Sequence, residues 1–322
     1  MTRRHAAALA AVCAMWLASC AREPVPPLRI GTFPGPTNEL VFLAQHRGWL
    51  PPSDYRLVEF INDGEVMRAF RNGSIEAAFV SLDEVLSLAQ SGMDPVILFV
   101  TAESRGGDAI VAHADVTSFA DLRGRRIAVQ VNSVSAYLLR RSLKTAGLEI
   151  EDLQIVNLPP DRHRAAFVRR DVDAVVTAEP VRTQILELGG VELFSSASLP
   201  LELMGVTIIS GAYLEQHGDR ASALCAAWRQ AGVDIATSED ARAWVAARMK
   251  VTPRTLDTML DVVRLIRPSE SDALLGPPRP RLMATAARIQ AVLFDSGVLT
   301  KSISLDPIFR WPVRVNQSAC RG

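Results

Sequence analysis

Two octets decide how this chain is read: SIEAAFVS at residues 74–81 and DVDAVVTA at residues 171–178. Each opens on polar residues and runs into a short apolar segment, the pattern of a buried strand. They lie 97 positions apart, as Ala77 and Ala174 show. The strand-like openings LRIGTF (28–33) and RIAVQV (126–131) keep the same offset, with Ile30 and Ile127 also 97 apart. Two strand starts and two strand ends in one register mark an internal repeat.

Working outward, NELVFLAQHRGW (38–49) and GEVMRAFRNG (64–73) have helical spacing, and YRLVEFI (55–61) reads as a strand between them. The second copy runs in the same order, with SAYLLRRSLKTAG (135–147), LQIVNL (153–158) and RHRAAFVRRD (162–171). Short apolar runs alternating with helices specify βαβαβ units and mostly parallel sheets. The expected fold class is therefore α/β with two lobes, each a mostly parallel sheet flanked by helices. Segments 101–116 (TAESRGGDAIVAHADV) and 203–211 (LMGVTIISG) read as the two crossings between lobes. That assigns 28–107 plus 206–322 to lobe 1 and 108–205 to lobe 2. From residue 212 to about 297 the spacing is amphipathic and helical, with Thr252 before Pro253 as an N-cap followed by proline at the first helical position. These helices are expected to pack on lobe 1.

Lys plus Arg and Asp plus Glu both total 35, and no basic run or aromatic-basic interleaving occurs, which argues against a nucleic-acid partner. Residues 1–20, MTRRHAAALAAVCAMWLASC, have a basic start, an apolar stretch too short to span a bilayer and a small residue before Cys20, the pattern of an export signal. A Pro-rich tether, 21–27, follows. The remaining histidines, His46, His113, His163 and His217, are scattered singly, so no metal site is expected. Cys225 and Cys320 could bridge in an oxidising compartment.

In open α/β sheets ligands sit beyond the carboxyl ends of the strands. The repeat nominates loops 32–37 and 81–83 in lobe 1, and 132–135 and 178–180 in lobe 2. In AVQVNSVSAYLLRR (128–141), Ser133 and Ser135 have three readings: nucleophile, ligand cradle or helix cap. VNSVSA lacks the glycines of a nucleophile elbow and no base is placed beside it, which leaves the cradle and the cap. A helix N-terminus there favours an anionic or polar group. Glu179, after an apolar strand and before Pro180, is either a ligand contact or a solvated carboxylate. Asp83 holds the equivalent place in lobe 1, and Ser104 and Asp108 flank the first crossing. GTFPGP is neither a P-loop nor a dinucleotide fingerprint, so no nucleotide cofactor is expected.

The segment LASC before the mature chain, with LRIGTFPGPTNELVFLAQHRGWL, FRNGSIEAAFVSLDEVL, LRGRRIAVQVNSVSAYLLRRSLKTAGL and DVDAVVTAEPV, resembles the solute-binding lipoproteins of ABC importers. The resemblance is to the nitrate, sulfonate, taurine and thiamine-precursor binders, over about residues 28–211. It implies a two-lobed type II periplasmic binding fold, no catalysis and no cofactor. It also implies Cys20 as the lipidation site, with a palmitate-type anchor facing the periplasm or cell exterior. The partners implied are a small polar or anionic solute and a membrane permease with its ATPase, the binder itself being a monomer. The contacts it implies are Thr32, Phe33, Ser81, Ser104, Asn132, Ser133, Ser135 and Glu179, to which the repeat adds Asp83. Pro34 and Pro36, and Ala178 where relatives often carry tryptophan, depart from the pattern. A ligand-sensing lipoprotein serving a membrane signalling protein, or an enzyme on the same fold, are the alternative classes.

Overall fold

A computed structural model describes residues 25–131, 133–276 and 281–310. The first repeat is built as β1 (Leu28–Thr32), α1 (Glu39–His46), β2 (Tyr55–Glu59), α2 (Asp63–Arg71) and β3 (Ala77–Ser81). It continues through α3 (Leu82–Gln90) into the fully buried β4 (Pro95–Ser104). The second unit comprises β5 (Asp108–Ala112), β6 (Arg126–Val129), α4 (Val134–Ala146), β7 (Gln154–Asn157), α5 (Pro160–Val168), β8 (Ala174–Ala178), α6 (Val181–Leu186) and β9 (Val191–Ser195). The chain returns through β10 (Met204–Ser210) to α7 (Gly211–Gln216), α8 (Gly218–Thr237), α9 (Glu239–Arg248) and α10 (Pro253–Val262). It closes with β11 (Val263–Leu265), α11 (Pro268–Leu275) and α12 (Arg281–Asp295).

Two sheets result, in the orders β11-β4-β10-β3-β1-β2 and β7-β6-β8-β5-β9. The three strands of each repeat are parallel, as the apolar runs require, with Ile30 opposite Ala77 and Ile127 opposite Ala174. The expectation of mostly parallel sheets holds for those strands alone. β10 runs antiparallel beside both β3 and β4, and β5 antiparallel beside both β8 and β9. The reason is connectivity: the strand that enters or leaves a sheet at a crossing comes from the opposite direction and fills the place next to the repeat's last strand.

The repeat extends to its electrostatics. In the first copy the Arg29 backbone and Nε donate to the Glu76 carboxylate, and its guanidinium also donates to the Gly73 carbonyl. In the second copy Arg126 donates in the same way to Asp173 and to the Arg170 carbonyl. These pairs clip the amino ends of the central parallel strands together. Partly exposed as they are, each contributes about 1 kcal/mol or less, so they fix register more than they stabilise.

The C-terminal helices cover the six-stranded sheet, as expected. Trp228 of α8 lies 5.2 Å from the Phe79 ring and 5.4 Å from Phe99, giving an aromatic knot between helix and sheet. Thr252 accepts from the Thr255 backbone, and α10 starts at Pro253 as the cap predicts. The helical pattern through residue 266 is cut short, however. Residues 263–265 leave the helix and hydrogen-bond as a strand to the edge of β4, where Arg264 reaches the buried Glu103 carboxylate. A free sheet edge and a buried charge outweigh weak helix propensity at Val262-Val263. Cys225 is disulfide-bonded, and the other three cysteines lie outside the described residues. No described helix is long and apolar enough to cross a membrane.

The repeat leaves one local mismatch. After the second helix of each copy the chain turns in the left-handed region, at Gly73 (φ 65°) and at its counterpart Arg170 (φ 56°). Glycine adopts this conformation freely, whereas a side chain pays for it. Chemical denaturation of Arg170→Gly is expected to give stability equal to or about 0.5–1 kcal/mol above the parent, and Gly73→Ala to lose about 1 kcal/mol.

Candidate functional site

Right-handed parallel crossovers aim every repeat strand's carboxyl end, and the helix that follows, in one direction. Because both sheets do so, their loops meet around a cavity of about 310 Å³. The first sheet supplies Phe33, Asn62, Asp63, Ser81 and Glu84, and the second supplies Val134, Ser135, Ala178 and Glu179. The crossings add Ser104, Gly107, Asp108, Leu203 and Met204.

Segment 203–211, read from sequence as the second crossing, is mostly β10 within the first sheet, because an apolar run there pairs with β3 and β4; the chain passes between the sheets at 105–107 and 196–203, and these two crossings are tied to each other. The Ser104 and Ser196 hydroxyls are 2.7 Å apart, the Gly106 N–H donates to Ser196 Oγ at 2.7 Å, and the Asp108 N–H donates to Ser104 Oγ at 3.0 Å. Beside them the fully buried Glu103 carboxylate accepts from Arg105, Arg264 and the Leu201 N–H. A buried charge with several donors costs far less than an isolated one, and here it joins three segments. Gly107 is a close-approach glycine: a Cβ there would lie 2.3 Å from a Val263 methyl and 3.2 Å from the Val262 carbonyl oxygen.

Of the residues nominated from sequence, Phe33, Ser81, Ser104, Ser135 and Glu179 wall the cavity. Asn132 lies outside the described residues. Thr32, Asp83 and Ser133 are buried behind the wall. Thr32 ends β1 facing the core, with no hydrogen-bond partner for its hydroxyl among the described residues. Ser133 donates its hydroxyl to the Gln130 carbonyl at 2.7 Å, so that group is spent inside the turn. Glu179 is also committed. Its carboxylate accepts from Arg182 at 3.0 Å and from the Thr183 hydroxyl at 2.9 Å, while Arg182 also holds Glu192. It anchors the start of α6 as much as it faces the cavity.

Sequence reasoning passed over Asp63, Glu84 and Gln130. The side-chain amide of Gln130, just past β6, donates to the Asp63 carboxylate at the start of α2, a hydrogen bond that spans the cleft. Glu84 reaches back to the Ser81 N–H at 2.9 Å and its hydroxyl at 3.0 Å. That is the S-x-x-E spacing of a capping box, a signal present in the sequence. Nothing in a single sequence marks Asp63 or Gln130 as neighbours, because they belong to different sheets.

The resulting electrostatics are one-sided. Asp63, Glu84, Asp108, Asp161 and Glu179 line the cavity, and among the described residues no arginine, lysine or histidine lines it. Burial pushes the Asp108 carboxyl up to about 6 against a hydrogen bond from Ser104, with Asp83, Glu179 and Asp63 adding repulsion. Burial likewise lifts Asp83 to about 6. Burial, then repulsion from Asp63 and Asp83, holds Glu84 well above the usual carboxylate range. Asp63 is raised by burial despite donors from Gln130, the Gly64 N–H and Glu84. Burial and mutual repulsion thus raise the Asp63 and Glu84 carboxyls together. No cluster among the described residues has a metal-binding composition.

This architecture can be set beside known proteins. Residues 21–250 match the family described as the NMT1-like family. The chain belongs to the NMT1-like family. Among curated members of related sequence, the taurine-binding periplasmic protein of Escherichia coli strain K12 is 28% identical over 163 residues, 49% of this chain and 50% of the relative. The chain spans about half the length of the curated relatives it matches. Two solved structures share the fold of this NMT1-like chain. The periplasmic aliphatic sulphonate-binding protein SsuA from Escherichia coli has a TM-score of 0.74 at 22% identity, covering 91% of this chain and 94% of its own. The alkanesulfonate-binding protein SsuA from Xanthomonas axonopodis pv. citri, bound to MOPS, has a TM-score of 0.76 at 20% identity, covering 89% and 99%. The two-lobed α/β architecture expected from the repeat, and the periplasmic-binding fold that the resemblance implies, are therefore the fold observed.

The raised carboxyls set a direction for stability against pH. At pH 5–6 the folded NMT1-like chain keeps protons that the unfolded chain, with carboxyls near 4, has released, so folding is favoured as pH falls from about 7 towards 5. Thermal unfolding is expected to show that slope. Asp108→Asn is expected to flatten it and to raise stability at pH 7.5 by on the order of 1–3 kcal/mol, at about 1.4 kcal/mol per pKa unit.

Proposed function

We propose that this protein is an extracytoplasmic solute-binding protein of an ABC importer, which encloses a small polar solute between its two sheets and hands it to a membrane permease served by an ATPase. The observation that carries this reading is a cavity walled from both sheets, at the carboxyl ends of both repeats and beside both crossings. Concave sites of this size, apolar with a few convergent polar groups, suit small-molecule binding. The names of the relatives, a taurine-binding periplasmic protein and sulfonate-binding proteins, support the same class. Enclosure requires only rotation about residues 105–107 and 196–203, with no bond made or broken. Gly106, at φ 115°, gives the first of these segments its freedom.

Two halves with 28–107 plus 206–322 on one side and 108–205 on the other, acting as a monomer, complete the reading. Residues 1–20 direct export, and lipidation at Cys20 holds the chain at the membrane through the tether 21–27. One acyl chain binds a bilayer weakly, so stable anchoring needs more than one. Among the nominated contacts, Phe33 supplies an apolar wall and Ser135 a hydroxyl in the first turn of α4.

Two measurements test this. A ligand that binds only the folded form stabilises it by about 2.7 kcal/mol at 100 times its Kd. A thermal-shift screen of small polar solutes is therefore expected to find a stabilising ligand, and Phe33→Ala with Ser135→Ala to weaken it tenfold or more while circular dichroism stays unchanged. In cells, Cys20→Ala is expected to abolish labelled-palmitate incorporation and to release the protein from the membrane fraction. Palmitate labelling that persists in that variant would refute the anchor.

A further inference from the structure

The relatives that name a ligand point to sulfonates, yet the cavity of this chain is built for the opposite charge. A sulfonate or nitrate entering it would meet Asp63, Glu84, Asp108, Asp161 and Glu179 and, among the described residues, no cationic side chain. Arg182, which reaches Glu179, also holds Glu192, and Arg105 and Arg264 hold the buried Glu103 beside the crossing. Glu179 is thereby neutralised, and Asp63 is partly satisfied by the Gly64 N–H and the Gln130 amide. Asp108 differs from both. It is more than nine-tenths buried and lines the cavity, and its carboxylate has no cationic partner among the described residues.

Buried carboxylates facing an apolar enclosure destabilise the empty protein unless a charge of opposite sign arrives with the ligand. Around them the wall is apolar, with Phe33, Ile61, Val80, Val134 and Met204. We propose that the cavity selects a ligand bearing a positively charged nitrogen, an ammonium or amidinium on a small apolar body, seated against Asp108 and the Asp63–Glu84 pair. A bare sulfonate or nitrate is excluded by the same carboxylates.

The duplication explains how the charge became one-sided. By the 97-residue offset, Asp63 corresponds to Pro160 and Glu84 to Val181, so that pair belongs to the first copy alone, while the second copy contributes Asp161 and the Arg182-bound Glu179. The second copy offers the start of α4, with Val134 and Ser135, to the ligand's other end. A zwitterion is accommodated in that arrangement, provided that its positive nitrogen lies on the Asp108 side.

This inference rests on the solute-binding reading, and one screen separates the two. The mature protein is subjected to thermal shift and calorimetric titration with pentylamine, benzylamine and benzamidine as cations, taurine as zwitterion, and pentanesulfonate, benzenesulfonate and nitrate as anions. The expected result is that cations, or taurine, stabilise the protein while the anions do not. Asp108→Asn, itself folded and at least as stable as the parent without ligand, is expected to lose affinity at least tenfold. Stabilisation by sulfonate or nitrate but by no compound with a positive nitrogen would overturn the charge assignment and leave solute binding standing. Cation binding undiminished in Asp108→Asn would overturn the placement. A failure of every compound would count against both readings.

Discussion

The structure depends on one geometric constraint: a parallel strand pair joined through a helix crosses over with a single hand. Applied twice at a fixed offset, it aims the carboxyl ends of β1 and β3, and of β6 and β8, in a consistent direction in each sheet. The Arg29–Glu76 and Arg126–Asp173 pairs hold the opposite ends of the same strands, so the closed ends carry exposed ion pairs and the open ends are left for polar loops. The cavity is what lies between two open ends brought face to face. Its walls follow from topology before any side chain is considered.

The side chains then make that wall costly. Placing Asp63, Asp83, Glu84 and Asp108 in or behind one enclosure raises all four carboxyls, chiefly through burial. Part of the cost is offset locally, since Glu84 also serves the start of α3 and Asp63 accepts from Gln130 across the cleft. What remains unbalanced is concentrated at Asp108, beside the crossing that joins the sheets. Under the proposed closure, occupancy of the cavity would therefore be coupled to the position of the two halves through this residue.

Membership of the NMT1-like family fixes the architecture and leaves the ligand to local chemistry. The Ser133 hydroxyl illustrates how far position can mislead: its place at the start of α4 suggested a free donor, but a carbonyl three residues back accepts its hydrogen bond. Glu179 repeats the lesson, since a neighbour one helical turn away, Arg182, occupies its carboxylate. Local hydrogen bonds of this kind compete with ligand contacts and are invisible in strand and helix patterns.

Much of the fold was legible because it rests on periodicity: alternating apolar runs, helical spacing and the recurrence of 77 at 174 are properties of neighbouring residues. The cap at Thr252 and the spacing of Ser81 and Glu84 are equally local, and the sequence carries both. The antiparallel β5 and β10, the short β11 and the meeting of Asp63 with Gln130 are of another kind, for they join segments far apart in the chain. Which way the charge of the cavity points was decided there. A carboxylate's neighbours, its burial and the absence of a lining cation depend on which loops two sheets bring together, and the sequence by itself determined the sheets but not their encounter.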